Sequence, residues 1–249
     1  QGRIGVEPLL FTQFPAVGLV TTFSATNGVT DSAAAGTALS TGRKTKNSAL
    51  GMLADLQTPV TSVAVWAQQS GAAVGISTNV SVDHATPAAF YAHQPKRDLY
   101  YEIGKDLIKA DFDFYAGSDF RIPENKKDST ATGTLFERCE QAGYTIARSY
   151  KQFQKTSKQA KKFILLQPST PSNNDRTCLP YAIDRKPGDL TLQDITRASI
   201  SFLTQKQKEK DGFFRMIEGG KIDYACHAND AATAFLETID LDNAVKVAY

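Results

Sequence analysis

Three short segments carry side chains whose types and spacing suit chemistry. In Thr30–Gly42, TDSAAAGTALSTG, Asp31 and Ser32 stand immediately before an Ala-rich helical pattern. One reading is structural: the two side-chain oxygens cap free helix amides. The other is chemical: a hydroxyl at a helix N-terminus sits where amides and dipole favour a phosphate or an oxyanion. The continuation GTALSTGRKT comes close to a nucleotide-binding P-loop. Gly36 and Gly42 are one residue too far apart and Arg43 precedes Lys44, so that loop is excluded on spacing.

The second segment is Ser81–Arg97, SVDHATPAAFYAHQPKR, after an apolar run ending at Thr78. Its polar groups therefore emerge at the carboxyl edge of a strand, where α/β proteins gather ligand groups. His84 and Thr86 are two residues apart, and Pro87 suits a first helical turn. A plain alternative is that Asp83 or Thr86 merely caps that helix, that Arg97 is a surface cation and that His93 is structural. The third segment is Arg215–Asn229, RMIEGGKIDYACHAN. Glu218 ends an apolar strand pattern, and Asp223 and His227 are four residues apart. If helical, that spacing sets a carboxylate and an imidazole on one face. The pair suits Zn²⁺, and Glu218 suits a harder ion such as Mg²⁺. Cys226 points some 100° away on such a helix and is left out. The structural alternative is a helix cap beside a surface Asp and His.

Alternating elements must position these groups. Val17–Phe23, Ala72–Thr78, Phe112–Ala116, Tyr144–Ala147, Phe163–Leu166 and Phe213–Ile217 read as strands. Ala33–Thr41 (stopped by Gly42), Ser62–Gln69, the segment carrying Leu99, Ile103 and Leu107, Leu135–Gln141, the segment carrying Leu192, Ile195 and Phe202, and Ala231–Ala248 read as helices. This alternation predicts an α/β fold, a three-layer α/β/α sandwich with a mostly parallel central sheet. Residues 1–249 are read as a single domain with loop-rich insertions near 118–133 and 168–190.

Composition bounds the function. The 249 residues are 41% apolar and 22% charged, enough to build a core without disulfides or a structural metal. Twenty-eight Lys and Arg against 26 Asp and Glu leave a net charge of +2, which argues against a strongly basic nucleic-acid surface. The run Lys151–Lys162 reads as a solvated face. No stretch approaches the ~18 apolar residues of a membrane span. The opening QGRIGVEPLL has no signal-peptide pattern. Cys139, Cys178 and Cys226 fit no metal or redox spacing; a Cys139–Cys178 disulfide and three reduced thiols are both compatible with the count. Asn79-Val80-Ser81 matches a glycosylation triplet that also arises by chance.

Taken together, the three segments resemble the alkaline phosphatase family, in order along the chain from about Pro15. TDSAAAGTALSTG is similar to the family's nucleophile motif, which makes Ser32 the residue phosphorylated and a zinc ligand. HATPAAFYAH resembles its metal segment. There the resemblance implies Thr86 as a magnesium ligand, His84 holding a water nearby and Arg97 clamping two phosphate oxygens. EGGKIDYACH resembles the second metal segment, implying Glu218 on magnesium, Asp223 and His227 on zinc, and Tyr224 at a site that tunes phosphate affinity. The implied cofactors are Zn²⁺ and Mg²⁺. The implied reaction is hydrolysis of small-molecule phosphate monoesters through a phosphoserine, in a periplasmic or extracellular protein compatible with a homodimer.

Departures accompany the match. The family's Asp-Gly-Met-Gly strand is absent, as are its later Asp-His and His ligands; the histidines here are His84, His93 and His227. The expectation is therefore a fragment whose isolated activity is weak or missing. Two alternatives stand beside it: a metal-dependent phosphodiesterase or phosphonate hydrolase of the same superfamily, and a catalytically inactive scaffold or interaction module.

Overall fold

The computed structural model describes residues 7–125, 133–169, 175–206 and 211–249. Parts of both loop-rich stretches, 126–132 and 170–174, lie outside the described residues, as do 1–6 at the start. Five strands form the sheet: β1 (Ala73–Thr78), β2 (Phe114–Gly117), β3 (Tyr144–Ala147), β4 (Lys162–Leu166) and β5 (Phe213–Glu218). Their order is β3-β4-β2-β1-β5, and every pairing is parallel. The helices in chain order are α1 (Ser32–Thr41), α2 (Val63–Gln69), α3 (Ala85–Ala88), α4 (Tyr100–Ala110), α5 (Leu135–Gln141), α6 (Tyr150–Thr156), α7 (Leu192–Lys206), α8 (Lys221–His227) and α9 (Ala231–Ala248).

Side chains of the central strands alternate between two apolar layers, as the period of a strand requires. Val74, Ile76, Tyr115, Ile164 and Leu166 join one cluster with Ala33, Ala64, Ile103, Leu107 and Leu135. Ala73, Phe114, Ala116, Phe163 and Leu165 join the other with Phe153, Ile195, Phe202 and Leu203. The sheet is thus covered on both faces, the condition under which parallel sheets persist.

One expectation about elements is corrected. Val17–Phe23 forms no strand: Val17 and Leu19 are 93% and 103% exposed, and the segment lies outside the sheet. β-branched and aromatic residues favour strands only where cross-strand neighbours and burial reward them, and this stretch has neither. Within the basic run, Tyr150–Thr156 is a helix capped by Ser149 and anchored by buried Phe153, while Lys151 and Lys155 face solvent. All three cysteines are free thiols. Burial pushes the Cys139 thiol up to about 12.

Helix α9 is inside out. Glu237, Asp240 and Asp242 are buried, while Phe235 and Ile239 are 70% and 44% exposed. Each buried carboxylate has partners. Glu237 meets Lys221 Nζ at 3.0 Å and the Ala182 amide at 2.7 Å, and Asp240 takes a two-pronged contact from Arg185 at 3.0 Å on each oxygen. Asp242 accepts from the Phe11 amide at 3.1 Å and pairs with Lys246 at 2.9 Å. No helix among the described residues is long and apolar enough to cross a membrane.

Candidate functional site

The carboxyl ends of β1 and β5 lie side by side, with Thr78 in register with Glu218. Thr78 Oγ1 donates to Glu218 Oε2 at 2.6 Å, and the nearby Thr86 hydroxyl also favours the charged form of this carboxylate. Burial pushes the Glu218 carboxyl up, against the pull of those two hydroxyls. Thr86 arrives on α3, the single turn that follows β1.

Helix α1 lies close against α3 because Gly36 faces it. A Cβ at position 36 would stand 3.0 Å from Ala89 Cβ and 3.3 Å from Thr86 Cα. The helix starts at Ser32 and is capped by Asp31, which accepts from the Ala34 amide at 2.9 Å. It stops at Gly42, whose φ of 72° suits a left-handed cap. Asp31 also accepts from the Ser48 amide at 3.0 Å and pairs with Arg97 Nη1 at 3.2 Å. The other guanidinium nitrogen, Arg97 Nη2, is 3.3 Å from His84 Nε2.

Arg97 is always protonated and can only donate, so His84 Nε2 is assigned as acceptor and Nδ1 carries the proton. Burial, reinforced by Arg97 and Arg121, pulls His84 down to about 3, and the imidazole is neutral. Its buried Nδ1 has no hydrogen-bond partner among the described residues. Tyr224 meets the His84 ring edge-on, with centroids 5.8 Å apart, and burial pushes its hydroxyl up to about 12.

Segment 221–227 is helical, as the four-residue spacing of Asp223 and His227 requires. His227 Nε2 is 3.5 Å from Asp223 Oδ1, and the two side chains are 81% and 57% exposed. They border a cavity of about 530 Å³ whose wall also holds Ser32, His84, Arg97 and Tyr224. Six of the eight residues singled out in the sequence thus meet at one opening. Thr86 and Glu218 lie off its lining, close to each other.

Sequence reasoning missed Tyr100, Arg121 and Thr177, which complete the wall with Thr30 and Asp31. Arg121 comes four residues after β2, and the strand-end rule applied to that strand would have found it.

Asp83, next to His84, is buried, and its Oδ2 accepts from the Arg121 amide at 2.9 Å. Burial pushes the carboxyl up to about 7. In metal-free protein the folded state keeps this proton up to that value, whereas an unfolded Asp loses it near pH ~4. The folded state binds more protons between the two values, so stability falls as pH rises through that window. Asp83→Asn removes the titration. The melting temperature of the variant is expected to gain on the wild type from about pH 4 to about pH 7. A difference constant across that range would contradict the burial account.

The donor chemistry bears on metal ions. Glu218 with the Thr86 hydroxyl is an all-oxygen set suited to Mg²⁺, and Asp223 with His227 is an oxygen–nitrogen pair suited to Zn²⁺. Each is a pair, and no group of three or more His, Cys, Asp or Glu able to hold a metal is gathered among the described residues. The donors fit in kind and fall short in number.

Comparison with known proteins decides the family. The family model described as alkaline phosphatase matches residues 2–249. The chain belongs to the alkaline phosphatase family. Alkaline phosphatase 4 of Bacillus subtilis (strain 168) is 35% identical over 234 residues, covering 88% of this chain and 45% of that protein. Alkaline phosphatase 3 of the same organism is 34% identical, covering 98% and 50%. The alkaline phosphatase of the Antarctic bacterium TAB5 superposes with a TM-score of 0.83 at 32% identity, covering 96% of this chain and 65% of that one. A mutant of the TAB5 enzyme was solved with magnesium bound. This family member spans about half the length of the curated relatives it matches.

Proposed function

We propose that the protein to which these residues belong hydrolyses phosphate monoesters through a phosphoserine on Ser32. The observation that carries the reading is the convergence of Ser32, Arg97 and the Asp223–His227 pair on one cavity at the sheet's carboxyl edge. Ser32 Oγ attacks phosphorus in line, the bond from phosphorus to the ester oxygen breaks, and water later releases phosphate from Ser32. Arg97 grips the phosphoryl oxygens from a guanidinium already oriented by Asp31 and His84. Asp31 also holds the start of α1, so the attacking hydroxyl and the clamp share one anchor.

Thr86 and Glu218 would hold magnesium, Asp223 and His227 one zinc, and the Ser32 hydroxyl a second zinc. Bound, these cations supply positive charge that favours the serine alkoxide and stabilises the departing oxygen. A catalytic zinc takes three protein ligands. With at most two donors per ion the sites fall short, so we propose that residues beyond these 249 complete them. The isolated chain is expected to bind zinc weakly and turn over little ester. A location outside the cytoplasm and a homodimer are carried by the family resemblance alone.

Comparing one phosphate monoester with one diester on the full-length protein, with zinc and magnesium present, tests the reading. Faster monoester turnover supports it. Faster diester turnover favours a phosphodiesterase, and turnover of neither favours an inactive scaffold. Arg97→Ala is expected to weaken phosphate binding by roughly 1.5–3 kcal/mol, the worth of a charge-assisted contact. Unchanged product inhibition by phosphate in that variant would remove Arg97 from the clamp.

A further inference from the structure

The cavity wall carries a second guanidinium that monoester hydrolysis leaves unused. Arg97 is committed to Asp31, but Arg121 has no ion-pair partner among the described residues. It is nevertheless held in place. Arg121 Nη1 donates to the Tyr100 hydroxyl at 2.8 Å, and its guanidinium carbon lies 4.5 Å over the Tyr100 ring. Its backbone N–H donates to Asp83 Oδ2 at 2.9 Å, and that carboxylate is buried. A guanidinium stacked on an aromatic ring keeps its in-plane donors for an outside acceptor. A held cation that forms no ion pair among the described residues, on a wall it shares with Asp223, is prepared for an anion that arrives with the ligand. The cavity, about 530 Å³, falls within the range that accommodates molecules far larger than a phosphate group.

We propose that Arg121 binds a second anionic group of the substrate, so that the site selects phosphate monoesters whose leaving group carries a carboxylate or a further phosphate. This rests on the monoesterase reading, but a binding experiment separates the two. The full-length protein, with zinc and magnesium in the buffer, is titrated with inorganic phosphate, phosphonoacetate and methylenebisphosphonate. The last two are non-hydrolysable probes with a carboxylate or a phosphonate as the second charge. Wild type should bind at least one of them roughly tenfold or more tighter than phosphate, the discrimination expected from one charge-assisted contact. The preferred probe identifies the second group.

In Arg121→Ala that ratio should fall to about twofold or less, and Arg121→Lys should keep part of it. Equal affinities in wild type, or a ratio preserved in Arg121→Ala, would overturn the proposal. Should the alanine variant fail to fold, the wild-type ratio and the lysine variant decide. A parallel assay uses one monoester with a neutral leaving group and one with a carboxylate-bearing group. Absence of turnover on both, with the binding ratio intact, would sink the monoesterase reading and leave Arg121 as an anion site. Turnover without a ratio would do the reverse.

Discussion

Lys221→Ala is expected to destabilise the fold by about 3–5 kcal/mol, because it strands a buried carboxylate. Lys221 and Glu237 form an ion pair whose side chains are both 0% exposed. The ammonium also donates to the Pro180 carbonyl at 2.5 Å, and the Lys221 amide donates to Asn79 Oδ1 at 3.2 Å. Burial lowers the Lys221 ammonium while Glu237 holds it charged. Removing Lys221 leaves Glu237 buried without a counter-cation, held only by the Ala182 amide at 2.7 Å and Asn79 Nδ2 at 3.4 Å. Replacing both, as Lys221→Met with Glu237→Leu, should recover much of the loss, since an apolar pair of similar volume avoids the desolvation cost. Urea unfolding of the three variants at neutral pH measures this. A loss under about 1 kcal/mol for Lys221→Ala would mean that the pair is hydrated.

Ser32→Ala is the second large effect. In the full-length protein with metals bound it is expected to lower kcat by at least about a thousandfold, the scale on which loss of a covalent nucleophile is felt. Alanine keeps the helix, since Asp31 supplies the cap and the first turn needs no hydroxyl. The far-UV spectrum and melting temperature should therefore match wild type. A variant retaining more than about a tenth of wild-type turnover would show that water attacks the ester directly.

The strands were legible because buried parallel strands read as nearly continuous apolar runs, as Ala72–Thr78 and Phe163–Leu166 do, and the half-buried edge strand Phe213–Ile217 departs from such a run only at Arg215. Val17–Phe23 has the same composition and no strand, because pairing partners are not written in a local run. Helix α9 was legible over Ala231–Ala248 as a helix, but which face it buries was not, for a related reason. Its buried face is acidic, and the cations that make this tolerable, Lys221 and Arg185, lie 16 and 55 residues away along the chain. At the site, Ser32, His84 and Asp223 with His227 were legible because each sits beside a cap, a strand end or a helical repeat. Tyr100 and Thr177 were not, since one opens α4 and the other lies in the loop between β4 and α7, and only the fold brings them to the cavity; Arg121, four residues after β2, was within reach of the strand-end rule.

The most direct test of the account is to trap the phosphoenzyme. Full-length wild-type protein, loaded with zinc and magnesium, is mixed with a phosphate monoester, quenched in acid, digested and mapped by mass spectrometry. The peptide containing Thr30–Gly42 should carry phosphate on Ser32, and the Ser32→Ala protein should carry none there. Phosphate on another residue, or label retained in the alanine variant, would contradict the assignment of Ser32 as nucleophile.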